Sequence, residues 1–243
     1  LYSALANLNT PDCNIMTAED PVEYQLVGIN QVQIHNQVGL TFAAALRSFL
    51  RQDPDVIMVG EIRDQETATI AINAALTGHL VFSTLHTNDT SQTITRLGMM
   101  GVEPFLISSA MLMVEAQRLL RGICPKCKEG YEVEKDWLIK IGVPEPQLQV
   151  TEKGKIVLYK GKGCENCAGT GYRGRQGLYE VMEVTDAIRQ LILDRASAKQ
   201  IKTQSVKQGM LTLRMCAVRK LLAGVTTVEE MMRVTTADGD GGG

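Results

Sequence analysis

Residues 52–64 read QDPDVIMVGEIRD, and the reading of this stretch decides the fold. After the Asp53-Pro54 break, Asp55 leads into Val56-Ile57-Met58-Val59, an unbroken apolar run. Such a run suits a strand covered on both faces, as in a parallel α/β sheet. Gly60-Glu61 then puts a carboxylate just past the strand's carboxyl end, where open α/β sheets place their ligands. An acid there can hold Mg²⁺, directly or through water, beside the phosphates of a nucleotide. It can equally be the plain end of a buried strand, and the flanking segments decide between the two.

Upstream, LYSALANLN at 1–9 is amphipathic from its first residue and has no N-cap, so it reads as the tail of a longer helix. Cys13 to Thr17 predicts a short strand running into an acidic loop. Glu19, Asp20 and Glu23 put three carboxylates within five residues there. That density suits a site better than a turn, although a solvated loop is the plainer alternative. INQVQI at 29–34 alternates apolar and polar, which predicts a short half-exposed strand. Thr41 caps a helix to about Gln52, with Phe42, Leu46, Phe49 and Leu50 on its apolar side. Arg47 and Arg51, four apart, share the other face and either reach phosphates or a neighbouring subunit, or are solvated charges.

Downstream, Asp64 opens a helix that Gly78 ends. HLVFSTLHTN at 79–88 predicts another buried strand, with His86 leaving it on the rim that carries Glu61. His79, at the strand's entrance, is either structural or part of a binding site. Asn88 or Asp89 caps a helix carrying Ile94 and Leu97, and Pro104 starts a longer one reaching Leu120. This alternation of strand and helix predicts a parallel sheet with helices on its faces.

The remaining chain fits a different chemistry. Cys124-Pro-Lys-Cys127 and Cys164-Glu-Asn-Cys167 are two C-x-x-C turns. Two such turns converge four thiolates on one ion, the pattern of a closed, structural Zn²⁺ site. The long gap from Lys128 to Gly163 requires a small fold of its own, with Trp137, the only tryptophan, expected in its core. Cys13 and Cys216 read as ordinary buried thiols. Gly177 to Val184 predicts a returning strand. Helices follow from Thr185 or Asp186, from Ser197, over Leu211 to Ala223, and from Thr227, before a tail, ADGDGGG, expected to be disordered.

Composition narrows the function classes. A net charge of −2 with 21% charged residues argues against a broadly basic nucleic-acid surface. Tyr172, Arg173 and Arg175 flank the second cysteine pair but form no long basic stripe. No apolar run is long enough to span a bilayer and no signal peptide is visible, so no transmembrane segment is expected.

Taken together, these segments closely resemble the secretion ATPase family, the hexameric motors of type II secretion and type IV pilus assembly. TAEDPVEY is similar to that family's Asp box, IMVGEIRD to its Walker B motif, and TGHLVFSTLHTN to its His box. AQRLLRGICPKCK and GCENCAGTGYRGRQGLYEV resemble the zinc-bearing insertion of its extension motors, a feature that the retraction branch lacks. GINQVQI followed by LTFAAALRSFLRQDPD leans toward the pilus-assembly branch. One departure is large. No G-x-x-x-x-G-K-[ST] loop occurs in the 243 residues, whereas in the family LYSAL directly follows that loop.

The resemblance implies a RecA-like P-loop NTPase core with a parallel sheet truncated at its amino-terminal side, a Cys₄ zinc-binding insertion and a carboxy-terminal helical subdomain. The expected division is core 1–122, zinc subdomain 123–177, helical subdomain 178–234 and tail 235–243. It also implies roles. Glu61 would hold Mg²⁺ through water and Glu23 would orient or deprotonate the attacking water, with Glu19 the rival for that task. Asp20 would help shape the box, His86 would sense the γ-phosphate, and Arg63 would tie the Walker B segment to its surroundings. The implied whole is a cytoplasmic homohexamer peripheral to the inner membrane. It would hydrolyse ATP with Mg²⁺ and act on a platform protein and a membrane-anchored adaptor, with no nucleic acid. Without the phosphate loop, this polypeptide alone is expected to be inactive. A DNA-uptake or conjugation motor, or a zinc-stapled docking module without catalysis, are the alternatives.

Overall fold

A computed structural model describes residues 1–143 and 155–236. The expected disorder of the tail falls largely outside the described residues. The chain packs as two compact units, Leu1–Leu112 with Val184–Ile201, and Met113–Glu183 with Lys202–Gly243.

The first unit is built on a parallel sheet of β1 (Ile15–Glu19), β2 (Asn30–Gln33), β3 (Val56–Val59) and β4 (Leu80–Ser83), in the order β2-β1-β3-β4. All four residues of β3 are buried, as its uninterrupted apolar sequence requires. Helix α1 (Tyr2–Leu8) packs Leu5 against Ile15, Val56 and Met58 on one face. Helices α2 (Phe42–Phe49) and α3 (Gln65–Leu76) pack against the strands and each other. Side-chain caps set where these helices start. Thr41 accepts from the Ala44 amide, Asp64 from Thr67 and, opening α4 (Thr90–Met99), Asp89 from Gln92.

The Pro104 segment departs from expectation. Helix α5 spans only Pro104–Ala110, and the chain then extends as β5 (Met113–Ile123). Glu, Ala, Gln, Arg and Leu in this stretch are all good helix formers, so local propensity favoured a helix. Pairing won instead. β5 runs antiparallel to β8 (Tyr172–Glu183), with Val114, Ala116 and Leu120 turned inward. Helix α7 (Asp186–Leu193), capped by Thr185, returns to the first unit and packs on α5.

In the second unit, β6 (Lys128–Glu134) pairs with β7 (Lys155–Gly161), and α6 (Lys135–Lys140) follows β6. Trp137 does not fill the core here; it is 42% exposed, and its neighbour Leu138 is fully buried instead. Leu138, Ile156 and Leu158 share one core with Leu120 and Leu178 from β5 and β8. Leu213, Ala217 and Leu221 of α9 (Leu213–Leu222) and Val228 and Met231 of α10 (Val228–Val234) complete it. The cysteine-bearing strands and the last helices therefore bury one another's apolar faces. Cys13 and Cys216 are partly exposed rather than buried, and the Cys216 thiol donates to the Tyr179 carbonyl. Helix α8 (Ala198–Lys207) precedes α9.

Inside α10, Glu230 is fully buried and accepts five hydrogen bonds, from the amide, Nε and Nη2 of Arg121 and from Nε and Nη2 of Arg233. These cations hold its carboxyl far down, at about 2, the hydrogen bonding from Arg233 being the largest single cause and Arg121 adding to it. The Arg121 guanidinium also lies 4.2 Å from the Tyr172 ring centre.

Candidate functional site

Parallel pairing aligns the carboxyl ends of three strands. Ala18 of β1 lies beside Val59 of β3, and Val59 beside Ser83 of β4. The residues that follow, Glu19-Asp20, Gly60-Glu61 and Thr84 to His86, therefore form one rim. Gly60, where the chain leaves β3, packs closely against β1. A Cβ there would stand 3.2 Å from the Ala18 carbonyl oxygen and 3.4 Å from Glu19 Cα. The Thr84 hydroxyl donates to the Gly60 carbonyl, and the Ile62 amide donates to the Thr84 carbonyl, which ties the β3 exit to the β4 exit.

Glu61 is 8% exposed and both its oxygens are engaged. Arg63 Nη2 lies 2.6 Å from Oε1, and His86 Nε2 lies 3.0 Å from Oε2. Burial alone would favour the neutral acid, but the Arg63 and His86 donors outweigh it and hold the carboxyl below its usual range. Each carboxylate oxygen keeps a second lone-pair direction, so a water can still be accepted there. Asp20 is exposed and its charge acts on Arg63, adding a second anion beside that guanidinium.

The structure thus joins Glu61, Arg63 and His86, with Asp20 close by. Glu19 is a separate case. It is 3% exposed and accepts from the Tyr2 hydroxyl, the Thr17 hydroxyl and Gln31 Nε2. Glu23 sits in the exposed loop after β1, and its carboxylate makes no hydrogen bond or ion pair among the described residues. Its backbone amide is bound to the Tyr2 hydroxyl at 3.2 Å. His79 lies at the other end of β4 from the rim, with Nδ1 2.9 Å from the Ala74 carbonyl oxygen at the end of α3. Arg47 pairs with Glu66 of α3, and Arg51 is exposed after α2. None of these last three makes a bond to the Glu61 cluster.

The second cluster is made of sulfur. Cys124 and Cys127 lie between β5 and β6, Cys164 and Cys167 between β7 and β8, and all four Sγ atoms fall within 4.8 Å of one another. Individual separations are 3.9 Å for Cys124–Cys164, 3.9 Å for Cys127–Cys167 and 3.7 Å for Cys164–Cys167. A tetrahedron with Zn–S bonds of about 2.3 Å has edges of about 3.8 Å, so these thiols fit a single tetrahedral ion. The strand ends that carry them meet backbone to backbone. A Cβ on Gly161 would fall 2.1 Å from the Gly171 carbonyl oxygen, so only glycine fits there. The Cys164 and Gly171 amides point at Cys167 Sγ, and Asn166 Nδ2 points at Cys124 Sγ. Burial opposes charge on Cys167, yet the two amides bring it down to about 6. Burial drives Cys127 up to about 12. Negative charge is therefore already favoured at one corner of the cluster.

Sequence reading missed Tyr2, Gln31 and Asn166. Asn166 had a signal, lying inside the second C-x-x-C turn, where amide donors to sulfur are expected.

The family described as Type II/IV secretion system protein matches residues 1–233. The chain is 52% identical over 239 residues to the type IV pilus assembly ATPase PilB of Myxococcus xanthus, covering 98% of this chain and 41% of that protein. It is 50% identical over 235 residues to the type II secretion system protein E of Pseudomonas aeruginosa, covering 97% of this chain and 45% of that protein. The chain therefore spans less than half the length of either relative. Among solved structures, the pilus retraction motor PilT with bound ADP superposes with a TM-score of 0.70 at 27% identity, over 98% of this chain and 57% of that one.

Proposed function

The chain belongs to the type II/IV secretion system protein family, and on that premise we propose that it supplies catalytic groups to a hexameric motor ATPase. Hydrolysis of ATP would drive assembly of a type IV pilus or of a type II secretion pseudopilus. The observation that carries this reading is the Glu61 carboxylate, held ionised by Arg63 and His86 at the carboxyl rim of a parallel sheet. Relatives near 50% identity are named for both machines, so the choice between them is left to the partner.

Bound Mg²⁺ would neutralise charge on the transferring phosphate, and Glu61 would hold it through water. Glu23, exposed and with no partner for its carboxylate among the described residues, would orient or deprotonate the attacking water. His86, with its side chain 83% exposed, can swing toward a phosphate by giving up its bond to Glu61 Oε2, while Arg63 keeps Glu61 Oε1 paired. Arg63 fixes the Glu61 carboxylate, and Asp20 faces that guanidinium. The four cysteines are proposed to hold one structural Zn²⁺, which closes its coordination and performs no chemistry.

No described helix is long and apolar enough to cross a membrane. A cytoplasmic place at the inner membrane, on a platform protein and an anchored adaptor, is part of the same proposal. The test is Mg²⁺-dependent ATP hydrolysis by the full-length protein, with and without DNA. Hydrolysis that EDTA abolishes and DNA leaves unchanged supports a pilus or secretion motor. Stimulation by DNA would reassign it to DNA transport, and no hydrolysis would leave a docking module. This polypeptide alone is expected to hydrolyse little ATP, because its sequence has no phosphate-binding loop of the G-x-x-x-x-G-K-[ST] type.

A further inference from the structure

The acidic loop after β1 is held from two sides. From β2, the Gln33 side chain accepts the Val22 amide, while Gln31 accepts the Leu26 amide and donates to the Tyr24 carbonyl. From α1, the Tyr2 hydroxyl reaches the Glu23 amide at 3.2 Å, and the Tyr2 ring meets Tyr24 edge-on with centres 4.6 Å apart. The polar positions of the alternating INQVQI stretch are thus the loop's anchors, and Glu23 is the one acid in the loop whose amide is fixed by a side chain outside β2.

The polarity of that hydroxyl is set by Glu19. The Tyr2 O–H donates to Glu19 Oε2. Its oxygen lone pairs are then left for the Glu23 N–H and for Gln31 Nε2 at 3.3 Å. Thr17 and Gln31 occupy Glu19 Oε1, so the buried carboxylate has a donor on each oxygen. Thr17, Glu19 and Gln31 share one sheet face, because Thr17 and Glu19 are two apart and Thr17 lies beside Gln31 in the ladder. A carboxylate so buried and so engaged is poorly placed to take a proton from water.

We propose that Tyr2 is a positioning residue for Glu23: its hydroxyl, oriented by buried Glu19, grips the Glu23 backbone and sets where that carboxylate points. Glu19 is then the orienter in this chain of bonds and Glu23 the group that meets water. The inference rests on the reading of Glu23 as the base.

The experiment compares Tyr2→Phe, Glu23→Gln and the double variant in the full-length ATPase. Phenylalanine keeps the ring contact with Tyr24 and removes only the hydroxyl. Tyr2→Phe is expected to lower kcat by about tenfold to a hundredfold with KM for ATP changed less than about twofold. The double variant is expected to be no slower than Glu23→Gln alone, since both act at one group. Should the orphaned Glu19 carboxylate prevent Tyr2→Phe from folding, Tyr2→Phe with Glu19→Gln removes that charge and gives the same readout. A wild-type kcat in the folded Tyr2→Phe protein, or losses that multiply in the double variant, would overturn the Tyr2 assignment alone. A wild-type kcat in Glu23→Gln would overturn the Glu23 reading beneath it.

Discussion

The sheet rim and the tetracysteine turn are both made where strands end, yet they hold their groups in opposite ways. Cys167 Sγ receives two backbone amides, and the strand ends around it touch glycine to glycine. The four thiols that could hold an ion there all lie within the chain. At the rim, His86 is tied by one bond to Glu61 and otherwise faces solvent. Glu23 has only its backbone fixed. The first arrangement suits an ion that stays, and the second suits a ligand that comes and goes.

This contrast is broken most directly at the cysteines. If the cysteines hold the proposed Zn²⁺, replacing Cys124 and Cys127 by serine should remove it and unfold the strands that carry it, because structural Zn²⁺ contributes about 10 kcal/mol or more to such modules. Metal analysis and thermal unfolding of the variant check this. A variant that keeps a full equivalent of metal, or loses the metal and still melts like the parent, contradicts it.

A smaller effect is expected at Glu230, which stabilises the second unit without metal. Its carboxyl sits near 2, well below the ordinary 4.5, so the bonds to Arg121 and Arg233 stabilise the fold fully above about pH 4.5. That stabilisation is lost as pH falls toward 2. Glu230→Gln should cost about 2–3 kcal/mol at neutral pH. Denaturant titrations at pH 7 and pH 3 should show the gap to the parent shrinking on acidification. A gap that is constant with pH would remove the ionised carboxylate from the account.

Arg47→Ala should change least, by under about 0.5 kcal/mol, since its pair with Glu66 is solvent-exposed on both sides. If chemical denaturation shows a normal fold but turnover of the full-length protein drops sharply, Arg47 reaches a phosphate or a neighbouring copy after all.

Much of the rim was legible because each part is a local pattern. An apolar run ending in Gly60-Glu61, a capped helix from Asp64 and a strand leading to His86 each need only neighbouring residues to be read. Thr41, Asp89 and Thr227 announce their helices in the same way. The four cysteines were legible for another reason, since their spacing already encodes convergence. What escaped needed distant partners. Met113–Ile123 reads as helix until β8, some sixty residues on, offers a ladder. Tyr2 reads as one residue of an amphipathic helix, and only the fold brings its hydroxyl between Glu19 and Glu23. His79 and His86 bracket one strand, and the sequence put only His86 on the rim that carries Glu61. Opposite ends of one strand gave them different neighbours, a helix carbonyl for one and a carboxylate for the other.

That pair of histidines and Glu61 supply the most direct test, the turnover of three single variants of the full-length protein, all folded and all carrying metal. Glu61→Gln should lower kcat by about a hundredfold or more. His86→Ala should also slow hydrolysis, and His79→Ala should leave it unchanged. Near-normal turnover in Glu61→Gln, or equal losses from the two histidine variants, would contradict the claim that this rim is where the chemistry happens.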